Sequence, residues 1–156
     1  MRENFQRAFE YLKSPACEGG VFEVHLKGEI GDTICGITEK WYPDAFAKVK
    51  EYIQSGQQKI ALAYIADFYD QNFYGPVGSN DLPYPTDIFA FIQSINQGLN
   101  TVKTILRGCQ NDPAKFLAAS KMRYDWIKEH NPAEAHDYPV WMERLQNLEK
   151  AFPVAT

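Results

Sequence analysis

Positive charge is scarce in this chain: 16 Lys and Arg stand against 20 Asp and Glu over 156 residues, a formal net charge of -4. Nucleic-acid binders carry a basic stripe, so this balance argues against a nucleic-acid partner and against capture by anionic surfaces through charge alone. Cysteine is also sparse. Cys17, Cys35 and Cys109 are odd in number and none has C-x-x-C spacing, which excludes a disulfide framework and a zinc or thioredoxin-type motif. A reduced compartment during synthesis is the expectation. His25, His130 and His136 lack metal-ligand spacing, and neither a metal nor a cofactor is expected. No apolar run is long enough to span a bilayer, and MRENFQRAFEYL lacks the apolar core of a secretory signal. The expectation is therefore synthesis in the cytoplasm without stable membrane association. Repeats, low-complexity tracts and linkers are missing too, so residues 1–156 are read as one domain and a monomer.

What is present is a 45% hydrophobic chain with 14% aromatics, rich enough to build a packed core. Phe5, Ala8, Phe9 and Leu12 recur at helical spacing and predict a first helix. Ser14-Pro15 disturbs it, with a brief restart before Gly19-Gly20. From Val21 to Thr38 the period changes: Phe22, Val24 and Leu26 alternate with Glu23, His25 and Lys27, a strand pattern punctuated by glycine. Helical patterns return with Phe46, Val49 and Ile53, then with Ile60, Tyr64, Ile65 and Phe68. A loop from about Phe73 to Pro85 is long enough to be functional. One long central helix is expected from Ile88 to Leu106. Asp112-Pro113 caps the next, with Phe116, Ala119, Met122 and Trp126 turned inward. Trp141, Leu145, Leu148 and Phe152 mark the last. The predicted fold is mainly α, with a small β-hairpin element after the first helix.

The junction of first helix and β element carries the chemistry. Glu18 precedes Gly19-Gly20 near a helix C-terminus, where the helix dipole and partial burial both disfavour ionisation. A carboxylic acid kept protonated near neutral pH is what protonates a glycosidic leaving oxygen. The glycines let a sugar chain approach the backbone. Taken alone, Glu-Gly-Gly reads first as a surface Glu before a glycine cap.

Glu18-Gly19-Gly20 followed by Gly31-Asp32-Thr33-Ile34-Cys35-Gly36-Ile37-Thr38 resembles the N-terminal signature of glycoside hydrolase family 108, an E-G-G followed by G-x-T-x-x-G-I-T. Phe73-Tyr74-Gly75-Pro76 is similar to the family's aromatic pair before a Pro, and Asn96-x-Gly98 to its Asn-x-Gly on the central helix. Arg123-Tyr124 and Trp141-x-x-Arg144 fall where its last helices carry Arg and Trp. The resemblance implies a lysozyme-like N-acetylmuramidase that cuts the β-1,4 bond after N-acetylmuramic acid, with Glu18 as general acid. Thr33 stands fifteen residues after Glu18, the spacing at which phage-type lysozymes hold a water-positioning Thr. Phe73, Tyr74, Gln93 and Asn96 are the implied substrate contacts, and Trp41 and Tyr42 are further candidates for the sugar groove. Peptidoglycan strands are the expected partner, reached through a holin or secretion machinery.

The chain departs from the family midway between Glu and Thr, and Ile92-Gln93 stands near where the family often shows an Asp. The family's Asp midway between Glu and Thr is replaced here by Lys27, Gly28 and Glu29. Glu29 or Asp32 would then be the second carboxylate, at roughly 6.5–9.5 Å from the acid for an inverting hydrolase. Two alternatives stay open: a binding or secretion-accessory protein that has lost turnover, and a lytic transglycosylase that works with a lone Glu. The peptidoglycan-binding segment of longer family members is not expected.

Overall fold

The computed structural model describes residues 2–15, 24–26 and 32–155. Among them are seven α-helices and a small antiparallel sheet, so the chain is mainly α with its β element directly after the first helix, as the sequence predicts. The helices are α1 (Glu3–Lys13), α2 (Pro43–Gln54), α3 (Gln58–Tyr69), α4 (Thr86–Gln97), α5 (Leu99–Cys109), α6 (Pro113–His130) and α7 (Tyr138–Ala151). The strands β1 (Val24–Leu26), β2 (Asp32–Ile34) and β3 (Ile37–Thr38) lie in that order. The chain forms two compact units, Met1–Ala8 with Phe73–Thr156 and Phe9–Asn72.

In the unit Phe9–Asn72, the apolar spacings pack as expected. Phe9 and Leu12 on α1, Ile34 and Ile37 on the sheet, and Phe46 and Val49 on α2 are all buried. Helix α2 packs on α3 and touches β2 and β3. Pro43 opens α2 at a first-turn position where no amide donor is required. The buried row of α3 is Ala61, Ile65, Phe68 and Tyr69, not a row beginning at Ile60, which is exposed. The row that packs against α2 and the core starts one residue later, and Tyr64 lies at its edge.

In the other unit, α4 is the most enclosed element: every residue from Thr86 to Ser94 is buried. It touches both α5 and α6, which explains an apolar face too wide for a one-sided helix. The single long helix predicted from Ile88 to Leu106 is instead two. Gly98 stands between α4 and α5 at φ 91° and ψ 153°, a region open essentially to glycine alone. The apolar period runs straight through the break, so periodicity could not reveal it.

Asp112 caps α6 by accepting the Lys115 amide at 2.9 Å, as predicted. The inward face of α6 differs from expectation. Phe116 is buried, but Met122 is 70% and Trp126 50% exposed, and Ala119 is half-buried. The enclosed row is Phe116, Ser120 and Tyr124, an i, i+4 row whose polar members hid it from a reading by hydrophobicity. On α7, Leu145 and Leu148 are buried as expected, with Phe152 just beyond, and Trp141 is half-buried. The segment read as a loop from Phe73 to Pro85 has local structure: the end of a π-helical turn (Asp70–Tyr74), a 3-10 turn (Ser79–Asp81) and a cis Tyr84-Pro85 peptide.

Candidate functional site

Strand β2 carries two of the predicted catalytic residues. Asp32 begins the strand, half-buried, and its carbonyl accepts the Glu39 amide at 2.9 Å. Thr33 follows in the middle of the sheet, 4% exposed, with His25 opposite it on β1 and Thr38 opposite it on β3. Glu18 and Glu29 lie outside the described residues.

A two-residue turn fixes the strand. Ile34 pairs with Ile37, and Cys35 and Gly36 between them have φ 49° and 78°. Positive φ at both central positions is the type I′ hairpin geometry, whose twist matches that of the flanking strands. The Tyr69 hydroxyl donates to the Cys35 carbonyl from the buried face of α3. The G-I-T part of the sequence motif is thus the hairpin that holds Thr33 in register. Tyr69 was not singled out in the sequence; its place four residues after Ile65 on the buried α3 row was the available signal.

The predicted substrate contacts lie in the other unit, Met1–Ala8 with Phe73–Thr156. Phe73 is half-buried in the π turn. Tyr74 is enclosed, its ring edge-on to Phe5 at 5.1 Å and to Phe91 at 5.4 Å. Its hydroxyl donates to Asp87 Oδ2 at 3.1 Å. Asp87 is buried at the start of α4 and also accepts from Asn4 Nδ2 and the Ile88 amide, both at 2.9 Å. Burial drives the Asp87 pKa above the ordinary carboxylate value, against those three donors, which pull it down. An acid in the first turn of an apolar helix was the only sequence signal for this residue, and it did not reveal the partners.

Gln93 is fully buried, and its Oε1 accepts from the Tyr124 hydroxyl at 3.0 Å and from Gln97 Nε2 at 2.7 Å. Burial pushes the Tyr124 phenol up to about 12. The Tyr124 ring stacks on Trp141 with centroids 5.0 Å apart. Asn96, half-buried, is 3.4 Å from Arg144 Nη1. The fold therefore gathers the later motif residues: Gln93 with Tyr124 and Trp141, and Asn96 with Arg144. Arg123 stands apart from them, over the exposed Trp126 ring at 5.0 Å. Among the described residues, no group of three or more His, Cys, Asp and Glu is placed to hold a metal ion.

The family model described as glycosyl hydrolase 108 matches residues 13–98, more than half of the chain. No curated protein matches the chain, and no solved structure does.

Proposed function

The chain belongs to the glycosyl hydrolase 108 family and is a glycoside hydrolase, and from that premise we propose that it is an N-acetylmuramidase with Glu18 as general acid. Its substrate is peptidoglycan, cut at the β-1,4 bond between N-acetylmuramic acid and N-acetylglucosamine. One observation carries the reading. Thr33, fifteen residues after Glu18, is a buried hydroxyl on a strand locked by its hairpin, and a hydroxyl both donates and accepts. That is the group needed to orient a water without being consumed.

Glu18 gives its proton to the glycosidic oxygen as the bond to the anomeric carbon breaks. Water, aligned by Thr33, attacks that carbon from the opposite face and yields its proton to Glu29 or Asp32. Tyr74 and Gln93 act as positioning residues, fixing α4 through Asp87 and Tyr124.

The test is digestion of purified peptidoglycan by wild type and Glu18→Gln, with mass spectrometry of the fragments. Reducing muramic acid ends from wild type, with turnover reduced at least a hundredfold in the variant, are expected. Anhydro ends would make the enzyme a lytic transglycosylase. No cleavage by wild type, where a control lysozyme acts, would leave a binding protein.

A further inference from the structure

The unit Phe9–Asn72 contains a groove of about 510 Å³, lined on one side by Trp41 to Ala45 and on the other by Tyr64, Asp67, Phe68, Gln71 and Asn72. The second set falls at i, i+3, i+4, i+7 and i+8, so α3 and the π turn present it as one continuous stripe. Such a stripe would ordinarily be apolar and buried. Here Asp67 and Gln71 are exposed, and Tyr64 and Asn72 are half-buried. Tyr42 and Phe68 pack edge to face at 4.9 Å and form the floor. At the rim, Trp41 is 67% exposed, with Lys40 Nζ 5.0 Å from its ring centre.

Three features point to a ligand. The volume lies in the range of small-molecule sites, about 300–1,000 Å³. Among the described residues the side chains of Asp44, Asp67 and Gln71 make no hydrogen bond or ion pair, and the Asn72 side chain spends only its Nδ2, on the Phe68 carbonyl at 2.8 Å. The floor is aromatic, and the rim carries amides and carboxylates beside Trp41. An aromatic face suits the C–H face of a pyranose, and carboxylates and amides suit its hydroxyls and acetamido group.

We infer that this groove binds an N-acetylglucosamine residue of a glycan strand. The charges favour this neutral sugar over a muramic acid stripped of its stem peptide. Asp44 and Asp67 face the groove, so a muramic acid with a free lactyl carboxylate is repelled and the neutral hexosamine is not. The groove wall is also tied to the candidate catalytic strand: the Tyr42 amide donates to the Thr38 carbonyl at 2.8 Å, and Thr38 pairs with Thr33. The inference rests on the peptidoglycan reading for its sugar, but its test does not depend on cleavage.

Binding of tri-N-acetylchitotriose is measured by tryptophan fluorescence and by titration calorimetry, on wild type, Trp41→Ala and Trp41→Phe. Both variants change an exposed side chain, and their circular dichroism checks the fold. Saturable binding by wild type, weakened at least tenfold in Trp41→Ala and largely kept in Trp41→Phe, is expected. A disaccharide bearing the free lactyl carboxylate should bind several-fold more weakly, with the gap narrowing as salt rises. Absence of binding to wild type, or equal binding to wild type and Trp41→Ala, overturns the groove even if peptidoglycan is cleaved. Equal affinity for the carboxylated disaccharide overturns the charge argument. Trp41-dependent binding without peptidoglycan cleavage would keep the groove and remove the muramidase.

Discussion

At the scale of single residues, Tyr69 shows how a site can depend on a side chain that carries none of its chemistry. Its hydroxyl meets the carbonyl at the tip of the hairpin, and its ring packs against Phe68 at 5.2 Å. Tyr69→Phe keeps the ring and removes the donor. The expected loss is about 1 kcal/mol, rising to about 3 if the carbonyl stays unmet, read from urea unfolding. Hydrogen exchange at Gly36 and Ile37 should quicken with it. A stability loss without faster exchange in the hairpin would show that the bond does not hold the turn. The sequence placed a small β element between Val21 and Thr38 but not the partner of its turn, because no local pattern links a strand turn to a tyrosine 34 residues away.

At the scale of elements, the sequence read well wherever one apolar face met one core. Phe5, Ala8, Phe9 and Leu12 on α1 are buried as predicted. It read poorly where a helix is enclosed by polar groups or is cut within an unbroken apolar period. Helix α6 buries Ser120 and Tyr124 while Met122 faces outward, since the Tyr124 hydroxyl has an acceptor in Gln93 that hydropathy cannot register. Gly98 ends α4 by backbone conformation alone. A Cβ there would meet nothing within 4 Å, so the penalty of Gly98→Ala is conformational, not steric packing. The expected cost is about 1–3 kcal/mol, a fall in Tm of about 2–4 °C per kcal/mol for a domain of this size. An unchanged Tm would mean that α4 and α5 join into the continuous helix their sequence suggests.

At the scale of the whole molecule, Asp87 links stability to pH. Its pKa is raised in the fold by burial. A carboxyl with a folded pKa above its unfolded one stabilises the fold while protonated and loses that contribution as pH rises through the folded pKa. The stability of wild type relative to Asp87→Asn should therefore fall as pH rises above about 4, then level off once Asp87 is ionised. Denaturant melts of both proteins across that window give the difference curve. A curve that rises with pH would mean that Asn4, Tyr74 and the Ile88 amide outweigh burial. The candidate site was legible to a similar extent. The alternation within residues 21–38 marked a small β element, and Trp41 and Tyr42 stood out as aromatics. The Asp87 and Gln93 clusters were hidden because each joins residues distant in sequence.

The two described cysteines have a practical consequence. Cys35 at the hairpin tip and Cys109 at the end of α5 are both enclosed, one in each unit. A thiol reagent can reach either only when its surroundings open. The described cysteines are thus two built-in clocks, one timing the release of the β-turn and the other the fraying of α5, readable by mass without introducing any label.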